Sequence, residues 1–136
     1  MNVFVDADVI LDFLLDRSPY VDDISEIIER SIKTELALCV SSITITNLNY
    51  IIGRIENVRS ARVKIKKILR LVSVENVGAS TVQKAAKSKF KDFEDGVQNF
   101  SAEEANHHII ITRNTRDYKE SNLAILTPKE FLAKIA

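Results

Sequence analysis

The segment Val3-Phe-Val-Asp6-Ala-Asp8-Val-Ile-Leu-Asp12 constrains this chain most, because it sets carboxylates directly behind a short apolar strand. In an open α/β sheet, ligands bind at the carboxyl ends of the strands, which gives Asp6 a working position. The competing reading is local: Asp6 or Asp8 can cap the helix that runs through Leu15. Asp95 and Asp117 follow comparable patterns later in the chain. Three such carboxylates gathered in one cleft would form a site for Mg2+ or Mn2+, hard cations that prefer oxygen ligands and share them with phosphate.

Beyond that segment, short apolar runs alternate with amphipathic ones. Asn2–Val5, Leu36–Val40, Leu71–Val74, His108–Thr112 and Leu123–Leu126 are the expected strands. Val21, Ile24, Ile27, Ile28 and Ile32 mark one helix, and Ser42 is the expected cap of another carrying Ile45, Leu48, Ile52 and Ile55. Over Asn57–Arg70, Val58, Ala61, Ile65, Ile68 and Leu69 take one face, and Arg59, Arg62, Lys66 and Arg70 take another. Ser80-x-x-Gln83 resembles a capping box, and Asp92 can cap a helix with Asp95 in its first turn. Thr127-Pro128-Lys-Glu130 joins a capping box to a proline at the first helical position. This order implies an α/β fold: a mainly parallel five-stranded sheet flanked by helices on both faces, three layers in all.

A length of 136 residues suits one domain spanning 1–136, and three glycines with two prolines leave little room for long loops. Nineteen basic residues balance nineteen acidic ones, so an affinity for nucleic acid must come from local charge. Cys39, the only cysteine, reads as a small buried hydrophobe, and His107 and His108 point oppositely if they begin a strand. No basic leader precedes an apolar run, and no run reaches the roughly 20 residues of a membrane helix. The expected location is the cytoplasm.

Four motifs in order resemble those of the PIN-domain family, whose best-known members are VapC-like toxin ribonucleases. They are Asp6-Ala-Asp8-Val-Ile-Leu-Asp12, Ser41-Ser-Ile-Thr44-Ile-Thr-Asn47-Leu48, Asp92-Phe-Glu-Asp95-Gly-Val-Gln and Thr112-Arg-Asn114-Thr-Arg-Asp117-Tyr118, followed by Leu126-Thr-Pro-Lys-Glu-Phe-Leu132. The resemblance implies that Asp6, Asp95 and Asp117 hold one or two divalent cations. It departs at Asn47, where the family motif carries Glu, so the cluster lacks one negative charge. The family's fourth acidic position falls at Asn114 or Asp117, of which only Asp117 is acidic.

Each of these residues has a second reading. A carboxylate in a first helical turn, such as Asp95, is favoured by the helix dipole alone. Asp117 can be a solvated turn residue, Asp92 a cap, and Asp8 and Asp12 capping, surface or supporting groups. Thr44 shares a helix face with Asn47 and can bond a carboxylate, a water or its own backbone. Arg113 can neutralise a phosphate or pair with an acid such as Asp95. The stripe Arg59, Arg62, Lys66 and Arg70 can track a nucleic-acid backbone or simply be solvated. Phe90, Phe93 and Phe100 are expected in the core.

The leading expectation is therefore a metal-dependent ribonuclease. By resemblance, it is the toxin of a toxin–antitoxin pair, with a small antitoxin partner and a homodimeric state. A PIN domain without turnover that binds RNA or a protein is the alternative Asn47 raises. Asp6-Ala-Asp8 also fits the D-x-D of HAD-type phosphatases, but Ile10 stands where those carry Thr or Val.

Overall fold

In the computed structural model, which describes residues 1–136, five strands form one sheet in which every pairing is parallel. They are β1 (Asn2–Val5), β2 (Ala37–Ser41), β3 (Ser73–Glu75), β4 (Ile109–Ile111) and β5 (Ala124–Leu126), in the spatial order β3-β2-β1-β4-β5. The chain builds outward from β1 through β2 to β3, then crosses back and continues through β4 and β5. The reversal falls between β1 and β4, and a crevice opens at such a point beyond the strand ends. Asp6 and Thr112, the residues that leave these two strands, sit at that crevice.

Alternation along β1 splits the interior in two. Val3 and Val5 join a cluster of 20 buried residues with Ile24, Ile27, Leu48, Ile52, Ile65, Ile68 and Phe131. These come from α2 (Val21–Lys33), α3 (Ser42–Ile55), α4 (Val58–Leu69) and α7 (Pro128–Ile135), beside α1 (Ala7–Leu14). Phe4 faces the other way onto Ile110, Tyr118 and Ala102 of α6 (Phe93–Glu104), and α5 (Ala79–Lys87) packs against α6. Both sheet faces are thus covered, as the unbroken apolar character of β4 requires.

Several local expectations need correction. Ser41, not Ser42, caps α3, its hydroxyl accepting from the Thr44 N–H at 3.1 Å. The Ser80–Gln83 box does not form. α5 starts from Gly78, and the Ser80 hydroxyl donates to Glu104 on α6, a stronger charged acceptor. β3 lies at Ser73–Glu75 rather than Leu71–Val74, where Leu71 and Val72 pack against the larger core. Leu36, His108, Thr112 and Leu123 lie just outside their strands. Val58 and Leu69, the first and last residues of α4, are exposed. Phe93, the first residue of α6, is 52% exposed instead of buried. The cap at Asp92 and the capping box at Thr127 form as expected, the latter with both reciprocal hydrogen bonds.

Gly96 stands where α6 comes closest to α5. A Cβ there would meet Ala85 Cβ and Phe90 Cβ at 3.4 Å and Ser88 Oγ at 3.5 Å, ordinary contact for a methyl group. Gly96→Ala should therefore raise stability by about 0.5–1 kcal/mol through lower backbone entropy in the unfolded chain. Gly96→Leu, with no space beyond that methyl, should lower it. Urea unfolding midpoints of the two variants decide this, and destabilisation by alanine would show the helices to be closer than described.

Candidate active site

Asp6 ends β1 and begins α1. Its Oδ1 accepts from the Ala7 N–H at 2.7 Å and its Oδ2 from the Thr112 hydroxyl at 2.9 Å, while its own N–H bonds Ile111 at 2.9 Å. The capping reading of Asp6 is thus met, and the same side chain also reaches Thr112 behind β4. Burial holds the Asp6 carboxyl above its ordinary range, opposed by the hydrogen bonds from Thr112 and Ala7. The Tyr118 hydroxyl lies within range of the Asp6 charge, buried and without a hydrogen-bond partner of its own. Its ionisation is pushed far up, chiefly by burial and then by Asp6 and Asp95, so it stays a neutral phenol.

Asp95 enters from α6, one turn after its cap Asp92. Its carboxyl is pushed up to about 7, first by burial and then by the negative charges of Asp6, Asp92, Asp117 and Glu94. Asp117 lies in a 3-10 turn, Thr115–Tyr118, behind β4. Asp92, Asp95 and Asp117 line a cleft of about 250 Å³ whose other charged walls are Lys89, Lys91, Arg116, Lys119 and Glu120. The three expected ligands therefore share one neighbourhood. No three of their oxygens lie within 4.8 Å of one another. An oxygen-only donor set, mutual repulsion and an unpartnered phenol beside Asp6 fit a hard divalent cation.

Asp8 sits beside this group. Its Oδ2 accepts from the Arg113 N–H at 3.3 Å and Asn114 Nδ2 at 3.0 Å, and its Oδ1 is buried without a partner. Burial and the Asp6 charge push its carboxyl up to about 7, against the pull of Arg113. Asn114 thus serves Asp8. Asp12 is no surface group: it is 1% exposed and bridges Arg17 at 2.9 Å and Arg113 at 2.6 Å. Arg113 pairs with Asp12 rather than Asp95, its guanidinium stacked 4.0 Å from the centre of the Tyr20 ring.

Thr44 bonds neither a carboxylate nor its own helix. Its hydroxyl oxygen accepts from Gln98 Nε2 at 2.5 Å, and Gln98 Oε1 accepts from Ser41 at 2.5 Å. This buried triangle fixes α6 against β2 and holds Gln98 within reach of Asp6. Asn47 Nδ2 donates to Glu94 Oε1 at 2.9 Å. Arg59, Arg62, Lys66 and Arg70 are exposed on α4 and none lines the cleft.

Sequence reasoning missed Glu94, Tyr118, Gln98 and the cleft's own cations. The signal for Glu94 was its place between Asp92 and Asp95, together with the charge missing at Asn47. Lys89 and Lys91 precede Asp92 directly, and a basic pair flanking an acidic motif is visible in the chain. Nothing local marks Gln98, which depends on a partner 57 residues away. Tyr118 closes the fourth motif, where its aromatic ring reads as core.

A family model described as PIN domain matches residues 2–116. No curated protein sequence matches the chain. Among solved structures, the chain is similar to VapBC2 from Rickettsia felis bound to a DNA fragment from its promoter. Identity is 14% and the TM-score 0.73, over 93% of this chain and 98% of that one. It is similar also to VapC20 of Mycobacterium tuberculosis, a sarcin–ricin loop cleaving toxin, at 13% identity and TM-score 0.64, over 79% of this chain and 86% of that one. A toxin–antitoxin complex from Klebsiella pneumoniae gives 16% and 0.69, over 93% of this chain and 97% of that one. These likenesses establish the fold. No helix is long and apolar enough to cross a membrane.

The raised carboxyls set a pH dependence. Asp8 and Asp95 move from 3.8 to about 7 on folding, so between these values the native state holds protons the unfolded chain has released. Stability must then fall as pH rises through that window. Without divalent cation, the melting temperature should drop from about pH 5 to about pH 8, and Mn2+ should restore it most at the upper end. Asp95→Asn should flatten the slope. A melting temperature that climbs over the same range would mean that the acids do not crowd one another.

Proposed function

The chain belongs to the PIN-domain family, and we propose that it is a metal-dependent ribonuclease acting as the toxin of a toxin–antitoxin pair. The observation that carries this reading is the acidic neighbourhood of Asp95, whose carboxyl is pushed up to about 7 by burial first and then by the charges of Asp6, Asp92 and Asp117. A cluster built at such electrostatic cost is relieved by one divalent cation, Mg2+ or Mn2+. That ion, when bound, supplies positive charge against the developing charge on phosphorus and acidifies a water.

The rest of the work falls to this chain's residues. Asp6, held by Thr112 and the Ala7 N–H, would hold the ion together with Asp95 and Asp117. Lys89, Lys91, Arg116 and Lys119 grip the phosphates of single-stranded or looped RNA on either side of the scissile bond. Such contacts position the backbone without reading bases. Arg113, locked by Asp12 and Tyr20, holds the turn that carries Asn114 and Asp117. Glu94, beside Asn47, supplies the carboxylate that Asn47 lacks, so the total charge of the site is kept by a different residue. A small antitoxin and a second copy of the chain are the protein partners this reading implies. The toxin–antitoxin complex among the structural relatives supports the first.

Purified protein incubated with RNA and Mn2+ should cleave it by hydrolysis, and Asp6→Asn/Asp95→Asn should lose about 100-fold or more of that activity. Equal cleavage by both proteins would expose a contaminant and remove the assignment. RNA binding without turnover in either Mg2+ or Mn2+ would transfer it to a silent binding domain.

Glu94→Gln should weaken Mn2+ binding, followed by the paramagnetic signal of the free ion, by about tenfold through the lost charge. Unchanged affinity would reduce Glu94 to a hydrogen-bond partner of Asn47.

A further inference from the structure

On the α6 side of the sheet, away from the acidic cleft, three side chains of quite different chemistry meet. Cys39 lies in β2 opposite Ser73, Glu75 closes the edge strand β3, and His107 lies between α6 and β4. The thiol sulfur, a carboxylate oxygen and a ring nitrogen all lie within 4.8 Å of one another. Cys39 is 4% exposed and His107 3%, whereas the Glu75 side chain is 31% exposed and opens the group to water.

The imidazole is poorly satisfied for a buried side chain. Its Nε2 is 3.3 Å from Glu75 Oε1, and its Nδ1 has no partner. A buried histidine kept only for packing normally has its nitrogens hydrogen-bonded. Phe4 braces the ring from one side at 5.8 Å between centres, so its aim toward Glu75 is fixed by packing.

We propose that Cys39, Glu75 and His107 form a second metal site, selective for Zn2+ or a cation of similar softness. Thiolate with imidazole is the donor pair that favours zinc over magnesium. Tetrahedral bonds of about 2.0–2.3 Å bring ligand atoms to roughly 3.3–3.7 Å from one another. The present cluster needs a contraction of at most about 1.5 Å to reach that. Binding releases the thiol proton of Cys39 to water, and the thiolate and carboxylate together neutralise the dication. Nε2 takes the metal while the ring proton rests on Nδ1. The loss of one unpaired N–H is small beside three metal–ligand bonds.

Three protein ligands leave a fourth place on the solvent side of Glu75 for a water molecule. The ion would tie a three-residue edge strand to β2 and to the connection entering β4. None of the three residues lines the acidic cleft, so the two sites differ in place as well as in donor chemistry.

Cobalt is the probe. One equivalent of Co2+ added to the metal-free protein should give intense visible bands of four-coordination and a near-ultraviolet thiolate charge-transfer band, both abolished by Zn2+. With one cysteine in the chain, that band reports Cys39 alone. Cys39→Ser should abolish it. Glu75→Gln, at a partly exposed edge where the fold tolerates change, should weaken Co2+ binding by about 100-fold with an unchanged far-ultraviolet spectrum. Asp6→Asn/Asp95→Asn should leave the band intact, and excess Mg2+ should not displace it. A pale six-coordinate spectrum without the thiolate band, displacement by Mg2+, or equal affinity in Glu75→Gln would each overturn the site.

Discussion

Carboxylates at the ends of β1 and α6 repel one another in a place where burial has already weakened their hydration. That tension organises the elements around the crevice. Asp6 is restrained by Thr112 and by the N–H of Ala7, and Gln98 approaches it from α6 through a triangle with Ser41 and Thr44. Asp12, one helical turn and more behind Asp6, draws in Arg17 and Arg113 and so anchors the segment that follows β4. Removing a buried carboxylate of this kind leaves two guanidinium groups without their common partner.

Much of this was legible in the chain because it rests on short-range rules. β1, the cap at Asp92 and the box at Thr127 follow from local pattern and from which side chains reach a neighbouring N–H. Asp6 and Asp95 were legible as a cap and a first-turn residue, each lying at the start of a helix, whereas the grouping of Asp117 with them came from the family resemblance. What stayed hidden depends on partners far along the chain. Ser80 had a local use open to it and took a charged one on α6. Asp12 was open to capping, surface or supporting roles, and its bond to Arg113, 101 residues later, decides between them. Glu94 lay inside a quoted motif, yet only its contact with Asn47 gives it meaning.

The two clusters of the molecule differ in the hardness of their donors. Around Asp95 and Asp117 the acidic donors are all oxygens, in a cleft rimmed by lysine and arginine that suits a polyanion. Around Cys39 there are sulfur, nitrogen and oxygen in a largely closed setting, with no rim of positive charge among the three. Cations sort between such places by their own preferences, so one need not interfere with the other.

β1 is the middle strand, and its second edge is met only by β4, more than a hundred residues downstream. Contacts of such separation close late in folding, since the intervening loop must first surrender its entropy. A growing polypeptide therefore displays Asp6 to water as a solitary carboxylate, with neither Thr112 nor Asp117 beside it. Whatever the assembled crevice can do, a half-made chain on its ribosome cannot.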